Sequence, residues 1–530
     1  MLSKVAICPV DVHRPDQVDR RIAFGDAPRT AQSWHAVVTC LCALFFCLAL
    51  PACTSLQAYR TAVPEPGKVS DCFAGSAPAA PGAPECIAQA TEHNSLYTLH
   101  TIEFDDEGWP FDDSTSKRSQ IDSAVSQIKA QLRGTNNCVR LFVYVHGWRH
   151  NAKSSDPNVM KFREFLAKVS ERSKASAAAG DDACEDPALA GVSAPRKPQS
   201  SQAAVRQQTP AGIQTVGIYV GWRGLSVVNI QPLVYTSFWD RKNTADRVSQ
   251  GSVRELFGRL NALASYAPAT DKPLAAPGKT SARLRTYVIG HSFGASVVFR
   301  ALSQSLIDSF SEDLDVDANG ELASVSRFVD MVVLVNPAIE AARFNPVFRA
   351  AGKLKTYCDN QSGAAGLCDR PKYQAPVLAI FTSEGDVATK RAFPIGASLS
   401  NTFESTTSVA QRQSIVQTIG WDDNYRTHTL TLSPSCEAAN ADPFDPQSNP
   451  LRYKAPGWTW CFATSSGSMS LTQLGRPAQQ PGERLVYNGP LWNVRVSSEI
   501  VKDHNDTWND KFRDLLLHLF TDERRNFSVP

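Results

Sequence analysis

A run of thirteen residues, Leu284–Ser296 (LRTYVIGHSFGAS), limits what this chain can fold into more than any other stretch. It opens as an apolar segment through Tyr287, Val288 and Ile289. It turns sharply at Gly290-His291-Ser292-Phe293-Gly294 and continues with helical spacing through Ala295, Val298, Ala301, Leu302 and Leu306. A strand that enters a helix through so short a turn leaves room for a Cβ at neither glycine. The serine between them is pushed out beyond the carboxyl end of the strand, where a base can reach its hydroxyl. Ser292 is therefore the candidate nucleophile. A serine hydroxyl is weak at neutral pH, so the chain should also supply a base, an acid to orient that base, and N–H donors for an oxyanion.

The remaining pattern predicts an α/β fold. Strands are expected over Tyr97–Phe104, which alternates, over the buried-type runs Val139–Val145 and Ile213–Val220, and over Phe328–Val335, Pro376–Phe381 and Leu491–Val501. Helical spacing occupies Asp122–Leu132, Asn158–Val169, Ala245–Leu263, Ile339–Ala350 and Thr507–Phe520. Strands alternating with helices imply parallel crossovers and a doubly wound, mostly parallel sheet covered on both faces. One domain is expected over residues 95–530, with a polar, Pro/Ala/Gln-rich surface insertion at 181–212. Residues 387–487 form a long irregular stretch, read either as a cap after the acid-bearing strand or as a disulfide-stapled surface excursion.

Residues 1–53 read as a targeting segment. Ala36–Leu50 is an apolar run of fifteen residues, flanked by Arg20, Arg21 and Arg29. Leu50-Pro51-Ala52-Cys53 comes directly after it and resembles a bacterial lipobox, which would make Cys53 a lipidated mature N-terminus. Plain secretion with cleavage near Ala52 is the other reading. Residues 54–94, rich in Pro, Ala, Gly and Ser, are expected to be a tether. An exported protein of the bacterial cell envelope, held to the membrane by an N-terminal lipid anchor, is the expectation. Cysteine usage agrees: eight of the thirteen lie beyond Cys53, an even number that suits disulfides. Sequence neighbours pair Cys72–Cys86, Cys358–Cys368 and Cys436–Cys461 and leave Cys138–Cys184. The formal net charge of +2 gives no bulk attraction for nucleic acid, and no Cys/His spacing indicates a metal. No cofactor is expected.

In an open α/β sheet the catalytic groups collect at the carboxyl ends of the strands. After Pro376–Phe381 come Glu384 and Asp386. Asp386, beyond Gly385 in a short turn, is favoured as the acid, its plainer role being to cap the next segment of chain. Of the ten histidines only His428, His504 and His518 come later. His504 lies between the last strand and the last helix and is favoured as the base over His428, which sits in an alternating run. The oxyanion donors should be the N–H of Phe293, after the nucleophile, and that of Trp148, in the His146-Gly147-Trp148 turn after Val139–Val145. Trp222 and Arg223 end the strand Ile213–Val220 at the same rim. They are candidates for substrate contact, Arg223 alternatively for a structural ion pair.

Taken together, HGWRHNA after a strand, VIGHSFGA, TSEGD, and DHNDTW before a final helix resemble the α/β-hydrolase superfamily, in its bacterial esterase/lipase-like branch with a His-Gly-Trp oxyanion loop. The resemblance implies a Ser292–His504–Asp386 triad, oxyanion donors at Trp148 and Phe293, and hydrolysis of a small-molecule or lipid ester through an acyl-enzyme. The spacing of Asp386 and His504 departs from the family pattern, being longer than a usual connection. A peptidase or thioesterase with the same triad, and a non-catalytic envelope lipoprotein that uses the scaffold for binding, remain as alternatives. Oligomeric state is not legible.

Overall fold

The computed structural model describes residues 56–65, 88–112, 118–132, 138–178, 213–226, 237–264, 284–312, 329–360, 376–433, 459–464, 467–474 and 490–521. The expected targeting segment, the 181–212 insertion, Cys53, Cys72, Cys86, Cys184, Cys368 and Cys436 lie outside them. Cys138 is disulfide-bonded. None of the described helices is long and apolar enough to cross a membrane.

In chain order the elements are β1 (Thr91–His93), β2 (Tyr97–Phe104), α1 (Gln120–Leu132), β3 (Cys138–Val145), α2 (Pro157–Ala178), β4 (Ile213–Trp222), α3 (Ser237–Gln250), α4 (Val253–Ala264), β5 (Leu284–His291) and α5 (Phe293–Glu312). Then come β6 (Met331–Val335), α6 (Ala341–Asn360), β7 (Leu378–Ser383), α7 (Phe393–Ser400), α8 (Val409–Val416), β8 (His428–Leu432), β9 (Thr459–Thr464), β10 (Gly467–Gln473), β11 (Leu491–Val496) and α9 (Asp510–Thr521). The eleven strands among the described residues form one sheet, ordered β1-β2-β4-β3-β5-β6-β7-β11-β8-β10-β9. From β2 to β8 every neighbouring pair is parallel; β1, β10 and β9 add antiparallel edges.

Because successive strand residues face opposite ways, each central strand feeds two cores. Leu141, Val143 and Val145 of β3 pack with α1, α4, α5 and α6 on one face. Phe142 and Tyr144 pack on the other with Phe162 and Phe165 of α2 and Phe512 and Phe520 of α9. Phe142 stacks on Tyr287 with ring centroids 5.1 Å apart, fastening β3 to β5 across that second core. The chain is thus an α/β protein with a mostly parallel mixed sheet and helices on both sides.

Several boundaries differ from expectation; among the strands, the last ends at Val496 rather than Val501 and β6 begins at Met331 rather than Phe328. The stretch at 54–94 is not wholly a tether. Within it β1 pairs with β2, Ala62 bridges Gln89, and Arg60 is fully buried against Glu92 at 2.9 Å. A charge can be buried this way only because a carboxylate and backbone oxygens meet it. One arginine in a Pro/Ala-rich background carries little compositional signal. The irregular stretch at 387–487 is also divided. Residues 388–400, 409–416 and 419–421 are helical, whereas β8, β10 and β9 continue the sheet beyond β11. The single helix expected over Ala245–Leu263 is two, broken at Gly251. There a Cβ would lie 2.6 Å from the Gly108 carbonyl oxygen.

Candidate active site

Ser292 stands between β5 and α5 with φ 55°, a left-handed conformation that a serine adopts only where its surroundings hold it. Its backbone is fixed on both sides: Ser292 N–H donates to the Val335 carbonyl at 3.0 Å, and Ala338 N–H donates to the Ser292 carbonyl at 3.2 Å. Close approach explains the glycines. A Cβ on Gly290 would lie 2.7 Å from Ala295 Cα, and one on Gly294 only 2.1 Å from the Val145 carbonyl oxygen. The turn therefore closes against the end of β3.

The expected base and acid meet this serine. His504 Nε2 lies 2.8 Å from Ser292 Oγ, and His504 Nδ1 lies 2.9 Å from Asp386 Oδ1. Glu384 is exposed, its N–H tied to the Val496 carbonyl, and takes no part. His428 is buried at the start of β8 beside Trp492, four strands away from β5, and His518 contacts Arg172 from α9. Asp386 is fully buried. Thr389 donates twice to it, N–H to Oδ1 at 3.0 Å and Oγ1 to Oδ2 at 2.5 Å. Burial alone pushes this carboxyl upward. His504 and the Thr389 donors outweigh it, and the group is held below the usual carboxylate range. Asp386 thus caps the helical turn after it and orients His504 at once; the two roles are compatible. Gly385 makes the approach feasible, because a Cβ there would lie 1.9 Å from the Lys502 carbonyl oxygen.

Two side chains that sequence reasoning missed hold the base loop. Asn336, at the end of β6 with φ 45°, donates from Nδ2 to the His504 carbonyl at 3.0 Å and accepts at Oδ1 from Ser383 N–H at 2.9 Å. It joins the acid-bearing strand to the base loop. His291 donates from Nε2 to the same His504 carbonyl at 2.8 Å, and burial, followed by the nearby His504, lowers its pKa to about 3. The only signal in the sequence was Asn336-Pro337 directly after an apolar strand.

The loop after β3 lies against Ser292. A Cβ on Gly147 would stand 2.8 Å from Ser292 Cβ. His146 is buried and neutral, its pKa lowered to about 4 chiefly by burial. It donates from Nδ1 to the Gly147 carbonyl at 2.9 Å and accepts at Nε2 from Trp222 N–H at 3.1 Å. Fixing that carbonyl fixes the whole peptide plane, so the N–H of Trp148 points to the opposite side. Phe293 opens α5, and its N–H therefore has no acceptor one turn back in the helix.

Trp222 is corrected as a substrate-contact candidate, and Arg223 takes the structural ion pair that was its other reading. Trp222 is buried, stacked on His146 with rings 4° from parallel, and its indole N–H donates to the His146 carbonyl at 3.0 Å. It props the loop from behind and cannot meet a substrate. Arg223 is engaged by Asp106, which also pairs with Arg241 at 2.9 Å. Aromatic side chains instead come from α3. Phe238 lies 4.8 Å from Phe293 and 5.4 Å from Trp148 between ring centroids, and Trp239 lies 5.6 Å from Phe393. Among the described residues no group of three His, Cys, Asp or Glu is gathered to hold a metal. Compared with protein-family models, curated proteins and solved structures, the chain matches none.

Proposed function

We propose that the chain is a serine hydrolase of the α/β-hydrolase fold that cleaves carboxylic esters through an acyl-enzyme. The observation that carries this reading is the unbroken relay from Ser292 Oγ through His504 to buried Asp386, at 2.8 Å and 2.9 Å. A structural serine has no need of a left-handed backbone, a histidine and a buried carboxylate in series. The order of the elements supports it: nucleophile after β5, acid after β7, base between β11 and the last helix.

In this mechanism His504 Nε2 takes the Ser292 proton as Oγ forms a bond to the acyl carbon. The carbonyl π electrons move to oxygen, which the N–H groups of Trp148 and Phe293 receive. The oxyanion then collapses, expelling the alcohol, which leaves with the proton from His504. Water repeats the sequence on the acyl-enzyme and releases the acid. Asp386 stabilises the imidazolium in both halves. Phe238, Trp148 and Trp239 supply an apolar wall suited to an acyl chain. We also place the protein outside the cytoplasm, lipid-anchored through Cys53; the disulfide at Cys138 supports an oxidising compartment.

The test is rapid mixing with p-nitrophenyl butyrate. A burst of about one p-nitrophenolate per chain, then slower turnover, is expected of an acyl-enzyme. Neither burst nor turnover with this or a longer-chain ester would reject the reading.

A further inference from the structure

Five of the eight large apolar side chains that stand exposed among the described residues fall between Val387 and Val409. Ile395 is 66 % exposed, Leu399 74 %, Phe403 99 % and Val409 79 %. The cause is local. Helix α7 spends Phe393, Gly396 and Ala397 on the protein, which turns Ile395 and Leu399, one helical turn apart, outward. Asn401 Nδ2 donates to the Ile415 carbonyl at 3.3 Å, and Arg412 donates to the Asn401 carbonyl at 2.8 Å, so α7 and α8 form one hairpin. A clustered apolar surface of this kind marks a place where something binds.

We propose that this hairpin docks on an anionic lipid bilayer, with Ile395, Leu399 and Phe403 among the acyl chains and Lys390 and Arg391 among the headgroups. Charge fits that partner. Between residues 387 and 416 the cations are Lys390, Arg391 and Arg412, against one acid, Glu404. The course of the chain fits as well. Tyr59 and Arg60 N–H groups donate to Glu103 near the carboxyl end of β2, and Arg60 Nε donates to the Ala152 carbonyl at 3.1 Å. The described N-terminal segment therefore begins, at half-exposed Leu56, on the sheet edge that carries Ser292 and the hairpin. Just upstream in the sequence lie Cys53 and the apolar run Ala36–Leu50.

A third observation joins the patch to the interior. A Cβ on Gly396 would lie 2.0 Å from the Trp239 ring, so α7 lies directly on Trp239. Phe238 beside it reaches Phe293 and Trp148. An unbroken apolar path thus runs from the exposed hairpin to the side of Ser292. Docking does not depend on the chemistry at Ser292 and stands apart from the hydrolase reading.

The experiment is hydrogen exchange on the full chain, alone and with vesicles of phosphatidylcholine or of phosphatidylcholine with phosphatidylglycerol. Exchange in 393–416 should slow by about tenfold with the anionic vesicles. It should slow less with the neutral ones, while α2, which carries exposed Met160, stays unchanged. In Ile395→Ser/Leu399→Ser/Phe403→Ser the slowing should vanish, even where the N-terminus still holds the protein on the vesicle. Arg391→Glu should weaken it on anionic vesicles alone. Three results overturn the proposal: no slowing in the hairpin, equal slowing in the triple variant, or slowing that needs no vesicle and grows with protein concentration, which would mark a second copy as the partner. No outcome requires turnover, so failure here is distinct from failure to hydrolyse esters.

Discussion

Ser292 and His504 are 212 positions apart in sequence, and Ser292 Oγ lies 2.8 Å from His504 Nε2. The contact depends on a serine kept at φ 55°. That strain is measurable. Ser292→Ala and Ser292→Gly should both be inactive. Glycine accepts the left-handed region without a Cβ clash, so Ser292→Gly should be the more stable of the two by about 1 kcal/mol in thermal or urea unfolding. Equal stability would mean that the turn relaxes once the hydroxyl is gone.

Asn336 is a positioning residue. Replacing it with glycine keeps the positive φ of 45° available and deletes both bridges, to the His504 carbonyl and from Ser383 N–H. With the His504 carbonyl held by His291 alone, kcat should fall roughly ten- to a hundredfold while KM stays within about twofold. A change confined to thermal stability would assign Asn336 a purely structural role.

Gly147 tests the oxyanion loop. The added methyl of Gly147→Ala would stand 2.8 Å from Ser292 Cβ and 3.0 Å from His291 Nδ1, so the loop must retreat. A displaced Trp148 N–H should cost about a hundredfold in kcat/KM. Because Cβ–Cβ contact at the rim is relieved by loop movement rather than core disruption, unfolding temperature should change little.

Acid stability rests on four buried histidines. Burial lowers His100 and His146 to about 4, and His291 and His428 to about 3, from an ordinary value of 6.5. Between those values the unfolded chain binds protons that the folded one does not. Stability is therefore fully present above pH 6.5 and falls on acidification, by about 1.4 kcal/mol per pH unit for each histidine. Asp386, held below 3.8, adds a loss only at lower pH. Urea titrations from pH 7.5 to 4.5 check this; the corresponding His146→Gln variant should show a shallower slope.

The central strands and the three side chains that meet at the candidate site, Ser292, His504 and Asp386, were legible from pattern and chain order. An apolar run of the length of Val139–Val145 has few alternatives to a buried strand, and glycines flanking Ser292 mark a turn in which a Cβ does not fit. The features that stayed hidden depend on contacts distant in sequence. Arg60 could be buried only because Glu92 and the Ala152 carbonyl meet it. Asn336 serves two loops that share nothing in the sequence. Trp222 looked like a rim residue because its strand ends there; its stacking on His146 is a tertiary fact. Of the sheet extension, β8 was legible as the alternating run that holds His428, whereas β9 and β10 were lost in a stretch where periodicity is weak.

The most direct measurement is labelling with a fluorophosphonate probe and peptide mass analysis of the product. Wild type should carry one phosphonyl group on Ser292, with no label on Ser292→Ala, slow label on His504→Ala and Asp386→Asn, and normal label on His428→Ala. An unlabelled wild type, or a label on another serine, would contradict the assignment of Ser292 as a nucleophile activated by His504 and Asp386.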